Sequence, residues 1–464
     1  MTIWCPDLDH KTGPKYLLIA EAIGQSIADG SLKERDRLPV QRDLAYRLGL
    51  SLNTVSRAYA EAIKRGFLHG EVGRGTYVRG AGPMPLRDAP SGMVRPTSGP
   101  IDFTLNLPAP GEGAAELAAT LADLQGSDKL AAHLDYQTDG GAPRHAEAAA
   151  AWLRPLGLDA HADEVILANG AQHGLLVSLL AMARPGDVLL TEAMTYAPIK
   201  ALARHLDLKL MPVAMDDGGL SPAALDDACR NSAAKVLYCM PTLHTPTAIT
   251  MTEVRRREIA AVAKRHDLLI IEDDVFGFLP PERPRPLACH APEQTVFLTS
   301  VSKCLAPGLR VGFLHAPDRL RRALHAAVNL SCWMPPSLMA EIASTWIMDG
   351  TAQRLNQFQR SEARARQQLA RRILSGHDVR ADPHGLHLWL VLPKHWWADA
   401  FRAAAERQGV KVLTGETFVI TQADAPNAVR ICLSHEPVRD RVIQGLEIIA
   451  GLLDETGHPG DLVV

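Results

Sequence analysis

Cysteine is scarce in this chain, seven among 464 residues, and no two form a Cys-x-x-Cys pair. An odd, scattered set supports neither a disulfide framework nor a structural zinc site, so no metal is expected and a reducing compartment fits. No apolar run reaches the roughly 18–20 residues of a membrane span. No charged segment followed by a short apolar one opens the chain. These absences set the expectation of a cytoplasmic protein with no membrane partner. Internal repeats are missing as well. Net charge is nearly missing, at −3, but the balance hides an asymmetry. Residues 31–79 carry 10 Lys+Arg against 5 Asp+Glu, while the remaining 415 residues carry 39 against 47. A basic module joined to an acidic body points to a polyanion as partner of the first part. The length calls for more than one domain, and 47% hydrophobic with 22% charged residues provides ample core.

The basic part reads as three helices and a hairpin. Residues 14–29 place apolar groups at 16, 19, 20, 23 and 27, a helical spacing that Gly30 stops. A short helix follows from Val40 and ends at Gly49. After Ser51, a plausible N-cap, comes a helix over 53–66 with an apolar stripe at 55, 58, 59, 62 and 63. Its first turn offers Asn53, Thr54, Ser56 and Arg57, short polar groups and an arginine suited to base edges and phosphates. Two β-like runs within 67–78 then flank Gly73-Arg74-Gly75, a hairpin tip whose arginine suits a minor groove. Arg42, on the second helix, completes the candidate DNA contacts together with Gly75.

Residues 80–100, rich in Pro, Gly and Ser, read as a flexible linker between a first domain, 1–79, and a body, 101–464. The body alternates β-like runs (164–167, 188–190, 236–238, 268–271, 296–298) with helical ones, which predicts an α/β domain on a mostly parallel sheet. Ligands of such sheets sit beyond the carboxyl ends of the strands, and there the conspicuous residues fall. Ala168 to His173, including Gly170, Ala171 and Gln172, leads into a helix expected over 174–183. Glu272-Asp273-Asp274 ends another run. Ser300 stands three residues before Lys303, a lysine between small residues just past a strand, and Arg310 stands seven after it. A lysine so placed suits a Schiff base, and a hydroxyl with a guanidinium suits a phosphate. Arg430 lies inside an apolar β-like run, where a buried arginine needs an anion.

Arg37-Leu38-Pro39, Arg42-Asp43-Leu44-Ala45, Asn53-Thr54-Val55-Ser56-Arg57-Ala58 and Gly73-Arg74-Gly75-Thr76-Tyr77-Val78 resemble the motifs of the GntR-type winged helix-turn-helix. Thr299 to Gly312 resembles the cofactor-lysine segment of fold-type I, pyridoxal-phosphate-dependent aminotransferases. The fusion resembles the MocR/GabR subfamily of transcriptional regulators. The resemblance implies a double-stranded DNA operator and a pyridoxal 5'-phosphate cofactor held by Lys303 as an internal aldimine. It implies Asp273 at the pyridine nitrogen, Tyr196 on the ring, and Ser300, Arg310 and the Gly170–Gln172 turn at the phosphate. Arg430 would bind the carboxylate of an amino-acid effector, sensed as an external aldimine. Asn106-Leu107-Pro108 would line the pocket. A head-to-tail homodimer is implied, with Tyr136-Gln137 and Gly140-Gly141 reaching the partner's phosphate. The alternative is a working aminotransferase with an appended DNA-binding module. Two departures weigh against efficient transamination. Thr245-Pro246-Thr247-Ala248 stands where the resembled enzymes carry Asn-Pro-Thr-Gly, and Phe276 stands where they often carry Tyr. Thr245, Tyr238 and His244 are the candidates to replace the two lost donors.

Overall fold

The computed structural model describes residues 4–6, 14–33, 36–65, 67–71, 75–78, 95, 97–126, 130–137, 142–421 and 425–455. The chain divides into two compact units, one ending at Val94 and the other starting at Arg95. Gly99 and Pro100, inside the stretch expected to be linker, are held to the body because Arg441 donates to both carbonyls.

In the first unit, helices α1 (Lys15–Ala28), α2 (Gln41–Leu48) and α3 (Leu52–Lys64) precede an antiparallel hairpin of β1 (Leu68–Glu71) and β2 (Gly75–Val78). The helical spacings of the sequence explain the packing: Ile19, Ala20 and Ile23 meet Leu44, Val55, Ala58, Tyr59 and Ala62 in one core, capped by Leu68 and Val78 of the hairpin. Ile63, counted in the α3 stripe by its spacing, stays 37% exposed. Leu38 donates its N–H to Thr76 O at 2.9 Å and Val78 donates to Asp36 O at 2.8 Å. The segment before α2 is thus stitched to the hairpin, a pairing that no local pattern announced.

The body holds a seven-stranded sheet with the spatial order Val165–Ala168, Gly312–His315, Thr295–Ser300, Leu269–Asp273, Val236–Cys239, Val188–Glu192, Lys209–Val213. All five β-like runs are strands of it. Gly312–His315 alone runs antiparallel to its neighbours, and the other pairings seen between these strands are parallel. Fully buried aliphatic runs on both faces are what a helix-covered sheet demands. A second, antiparallel sheet orders Val379–Ala381, His387–Val391, Ala428–Cys432 and Leu413–Thr414, with its own core beneath helices Thr351–Ile373 and Arg439–Asp454. Among the described residues no helix is long and apolar enough to cross a membrane.

Candidate functional site

Four segments meet at the edge where the parallel strands of the large sheet end. Strand Leu269–Asp273 delivers Asp273, and strand Thr295–Ser300 delivers Ser300 and, one turn later, Lys303. Gly312 pairs with Ser300 on one side and Ala168 on the other. Arg310 and Gly170, just beyond those strand ends, are therefore neighbours. Gly170 has φ +76°, which favours glycine, and a Cβ there would lie 2.5 Å from Arg310 Nη2 and displace that guanidinium. Helix Gly170–Met182 starts four residues before the expected Gly174. Gly170, Ala171 and Gln172 are its first turn, and their N–H groups lack intrahelical carbonyls, the arrangement that receives an anion.

Electrostatics single out one acid and one base. Glu272 turns to the other face, taking the N–H groups of Leu287 and Ala288 at 2.9 Å each, and Asp274 pairs with Arg283. Asp273 accepts the Tyr238 hydroxyl at 2.7 Å. Burial pushes the Asp273 carboxyl up to about 6, against the pull of that hydrogen bond. Burial lowers the Lys303 ammonium to about 8, which favours the nucleophilic amine. Tyr196 donates to Gln172 Oε1 at 3.0 Å, and burial, with the Asp273 charge second, raises its hydroxyl to about 12.

Arg430 comes from the second sheet. Trp389 pairs with Arg430 and His387 with Cys432, so strand alternation puts these four on one face while Leu388, Leu390, Val429 and Ile431 fill the core behind. The Arg430 guanidinium lies 4.8 Å from the Phe418 ring centre and donates to Thr104 O at 2.6 Å. Its Nε is buried without a partner among the described residues. Lys303 Nζ donates to Asn106 O at 2.5 Å. The Asn106 side chain meets His387 Nδ1 at 3.0 Å, and His387 Nε2 meets His244 O at 3.1 Å. Burial, with Arg430 second, pushes His387 down to about 3, so the ring is neutral. Thr104, His387 and Phe418 were not anticipated, although the alternation in His387-Leu388-Trp389-Leu390 carries the signal for His387.

Two of the three candidate replacement donors are engaged elsewhere. Tyr238 serves Asp273, and His244 meets Thr247 Oγ1 at 2.8 Å and Met194 O at 3.0 Å. Thr245 and Phe276 are buried. Tyr136 is exposed and sits edge-on to Trp333, with ring centres 5.8 Å apart. Gly140 and Gly141 lie outside the described residues.

On the first unit, Asn53, Arg57 and Arg42 are exposed, and the Arg57 guanidinium covers the Tyr16 ring at 4.1 Å. The hydroxyls of Thr54 and Ser56, expected at DNA, are engaged within the module. Thr54 Oγ1 meets the cap Ser51 Oγ at 2.9 Å, and Ser56 donates to Gln41 Oε1 at 2.7 Å, tying α3 to α2. Gly75 opens β2, while Arg74 lies outside the described residues. Tyr46, on α2 one turn after Arg42, is 90% exposed.

Residues 113–446 match the family Aminotransferase class I and II, and residues 15–78 match Bacterial regulatory proteins, gntR family. The chain belongs to the aminotransferase class I and II family. It carries a GntR helix-turn-helix DNA-binding domain in front, the MocR-type combination. The uncharacterized HTH-type transcriptional regulator YdeF of Bacillus subtilis is 29% identical over 456 residues, 97% of each chain. The vitamin B6 salvage pathway transcriptional repressor PtsJ of Salmonella typhimurium is 28% identical, covering 92% of this chain and 95% of its own. The Pyrococcus horikoshii kynurenine aminotransferase shares the body's fold, with a TM-score of 0.71 at 22% identity over 79% of this chain and 93% of its own. The cofactor of this aminotransferase-like body is pyridoxal phosphate. The residues present fit it: a helix start and Arg310 for an anion, a lysine amine at the strand end, a buried carboxylate for a cation, and Ser302 Oγ buried without a partner among the described residues.

Proposed function

We propose that this protein is a pyridoxal-phosphate-dependent transcriptional regulator that answers to an amine or amino-acid effector. In the DNA-binding domain, Arg42, Asn53 and Arg57, together with Arg74 and Gly75, contact the operator, and Thr54 and Ser56 hold the start of α3 in shape for them. In the body, Lys303 holds the cofactor covalently. Gly170, Ala171, Gln172, Ser300 and Arg310 would take its phosphate, Asp273 would serve the ring nitrogen, and Tyr196 would pack on the ring. The cofactor, when bound, supplies an electrophilic carbon for a primary amine. Arg430 takes the effector's carboxylate as a bidentate pair. Two chains associate head to tail, with the exposed Tyr136 reaching the partner's phosphate group, and the protein works in the cytoplasm, where its DNA is.

One observation carries the reading: Lys303, Asp273, Gly170 and Arg310 stand at one sheet edge, Arg430 meets the adjoining strip at Thr104, and the same chain bears a GntR domain. Thr245 and Phe276, which lack the usual donors, favour holding an effector over turning it over. Titrating cofactor-loaded protein with amino acids tests this. The visible spectrum should change at once, with keto-acid formation slow or incomplete. Fast, complete conversion with turnover on adding a keto acid would make it an aminotransferase.

A further inference from the structure

The described residues offer several features outside the assigned roles: an apolar groove beside Leu117, Leu305 and Trp346, a second groove along helix Thr351–Ile373, and a buried imidazole, His387. Nothing among the described residues shows what covers either groove. His387 is different, because its partners form an unbroken chain to both cations of the effector site.

The chain starts at an atom with one possible role. The His244 carbonyl only accepts, so His387 Nε2, 3.1 Å away, carries the proton. The ring is neutral, so Nδ1 is bare and accepts. The atom of Asn106 lying 3.0 Å from Nδ1 is therefore its amide nitrogen, and the orientation of that amide is fixed. The backbone of Asn106 is pinned in turn. Its carbonyl takes Lys303 Nζ at 2.5 Å, and two residues earlier the Thr104 carbonyl takes Arg430 Nη2 at 2.6 Å. Thr104 is also held locally, its N–H and hydroxyl both donating to Asp102 Oδ1, at 2.8 and 2.5 Å.

We infer that His387, acting through Asn106, is a positioning residue that sets the strip 104–106 against Arg430 and thereby fixes the guanidinium for an effector carboxylate. This rests on the reading that Arg430 takes that carboxylate. His387 touches neither effector nor cofactor in this account. Its neutrality matters because a charged imidazole beside Arg430 and Lys303 would repel both, and because Nδ1 would lose its acceptor role.

The test compares amino acids with the amines lacking their carboxylate, L-alanine with ethylamine and L-leucine with 3-methylbutylamine, by visible titration of the cofactor-loaded full-length protein. His387→Phe and Asn106→Leu should each lower the ratio of amino-acid affinity to amine affinity about five- to tenfold, the size of one lost hydrogen bond. The double variant should lose no more than either single one, since both break the same link. His387→Gln, which offers an acceptor and a donor on one amide, should restore at least half of the loss on a logarithmic scale. Equal losses on amino acids and amines, additive losses in the double variant, or no effect would overturn the inference. Arg430→Lys separates it from its foundation. If that variant shows no carboxylate-selective loss, the effector reading fails. If it does and His387→Phe does not, only the positioning role fails.

Discussion

The two halves of this molecule expose their chemistry in opposite ways. In the DNA-binding domain the candidate contact groups, Arg42, Asn53 and Arg57, stand on the surface of α2 and α3 over a core of helix-spaced apolar residues. In the body the candidate groups are withdrawn, and the shifts of Asp273 and Lys303 follow from burial first. A surface site works through charge and is governed by salt. A withdrawn site works through fixed dipoles and shifted protonation. The two sites are built separately and coupled only through the effector: without effector, substitutions in one half should alter one readout and leave the other alone.

The largest expected break in that symmetry is Lys303→Ala. It should abolish covalent cofactor attachment, read as loss of the visible band and of the borohydride-trapped lysine peptide, and should remove the effector response entirely. Operator affinity without effector should stay within about twofold, because the modification lies outside the polar contacts that set binding. A folded variant that loses operator binding would break the separation.

Arg42→Ala and Arg57→Ala should do the converse. Each phosphate contact removed should reduce the salt dependence of binding by about 0.9 in log–log slope, and a base contact should cost about 1–3 kcal/mol and relax specificity. The spectrum should be untouched. Arg57 should show the smaller loss of the two, because stacking on Tyr16 already holds part of its charge. Gel shifts at several salt concentrations would show it.

A smaller effect concerns the pH dependence of the cofactor-free protein. The Asp273 carboxyl is raised from its ordinary 3.8 to about 6. Between those values the folded chain keeps a proton that the unfolded chain has released. The stabilising contribution of this group is therefore full below about 4 and lost as pH rises through 6. Denaturant titrations should show a downward slope in stability over this window for the wild type relative to Asp273→Asn. An identical slope in the two proteins would mean that Asp273 is already ionised and paired.

The halves also differed in how far they could be read in advance. The winged module follows from local spacing: glycine stops, the Ser51 cap and the α3 stripe are all short-range, and only the stitch from Asp36 and Leu38 to the hairpin was hidden. The strand ends bearing Asp273, Ser300 and Lys303 were legible for the same reason, since apolar runs end where the polar groups begin. Gly170 beside Arg310 was not, because that contact depends on an antiparallel strand, Gly312–His315, wedged between two parallel ones. The bonds that Thr54 and Ser56 make inside the module, to Ser51 and Gln41, were not legible. A hydroxyl in a first helical turn serves a cap or an interhelical bond as readily as a base, and only packing decides. His387 and Thr104 lie more than 280 residues apart in the chain, and nothing local ties either to Arg430.

Coupling between the halves is the central claim, and one measurement addresses it directly. Fluorescence anisotropy of a labelled operator fragment, selected from genomic DNA bound by the protein, can be followed with the visible spectrum during titration with an amino acid that changes that spectrum. The account predicts that operator affinity shifts in step, with the same half-saturating concentration in both signals, and that Lys303→Ala abolishes both. A complete spectral change with operator affinity unmoved would contradict it.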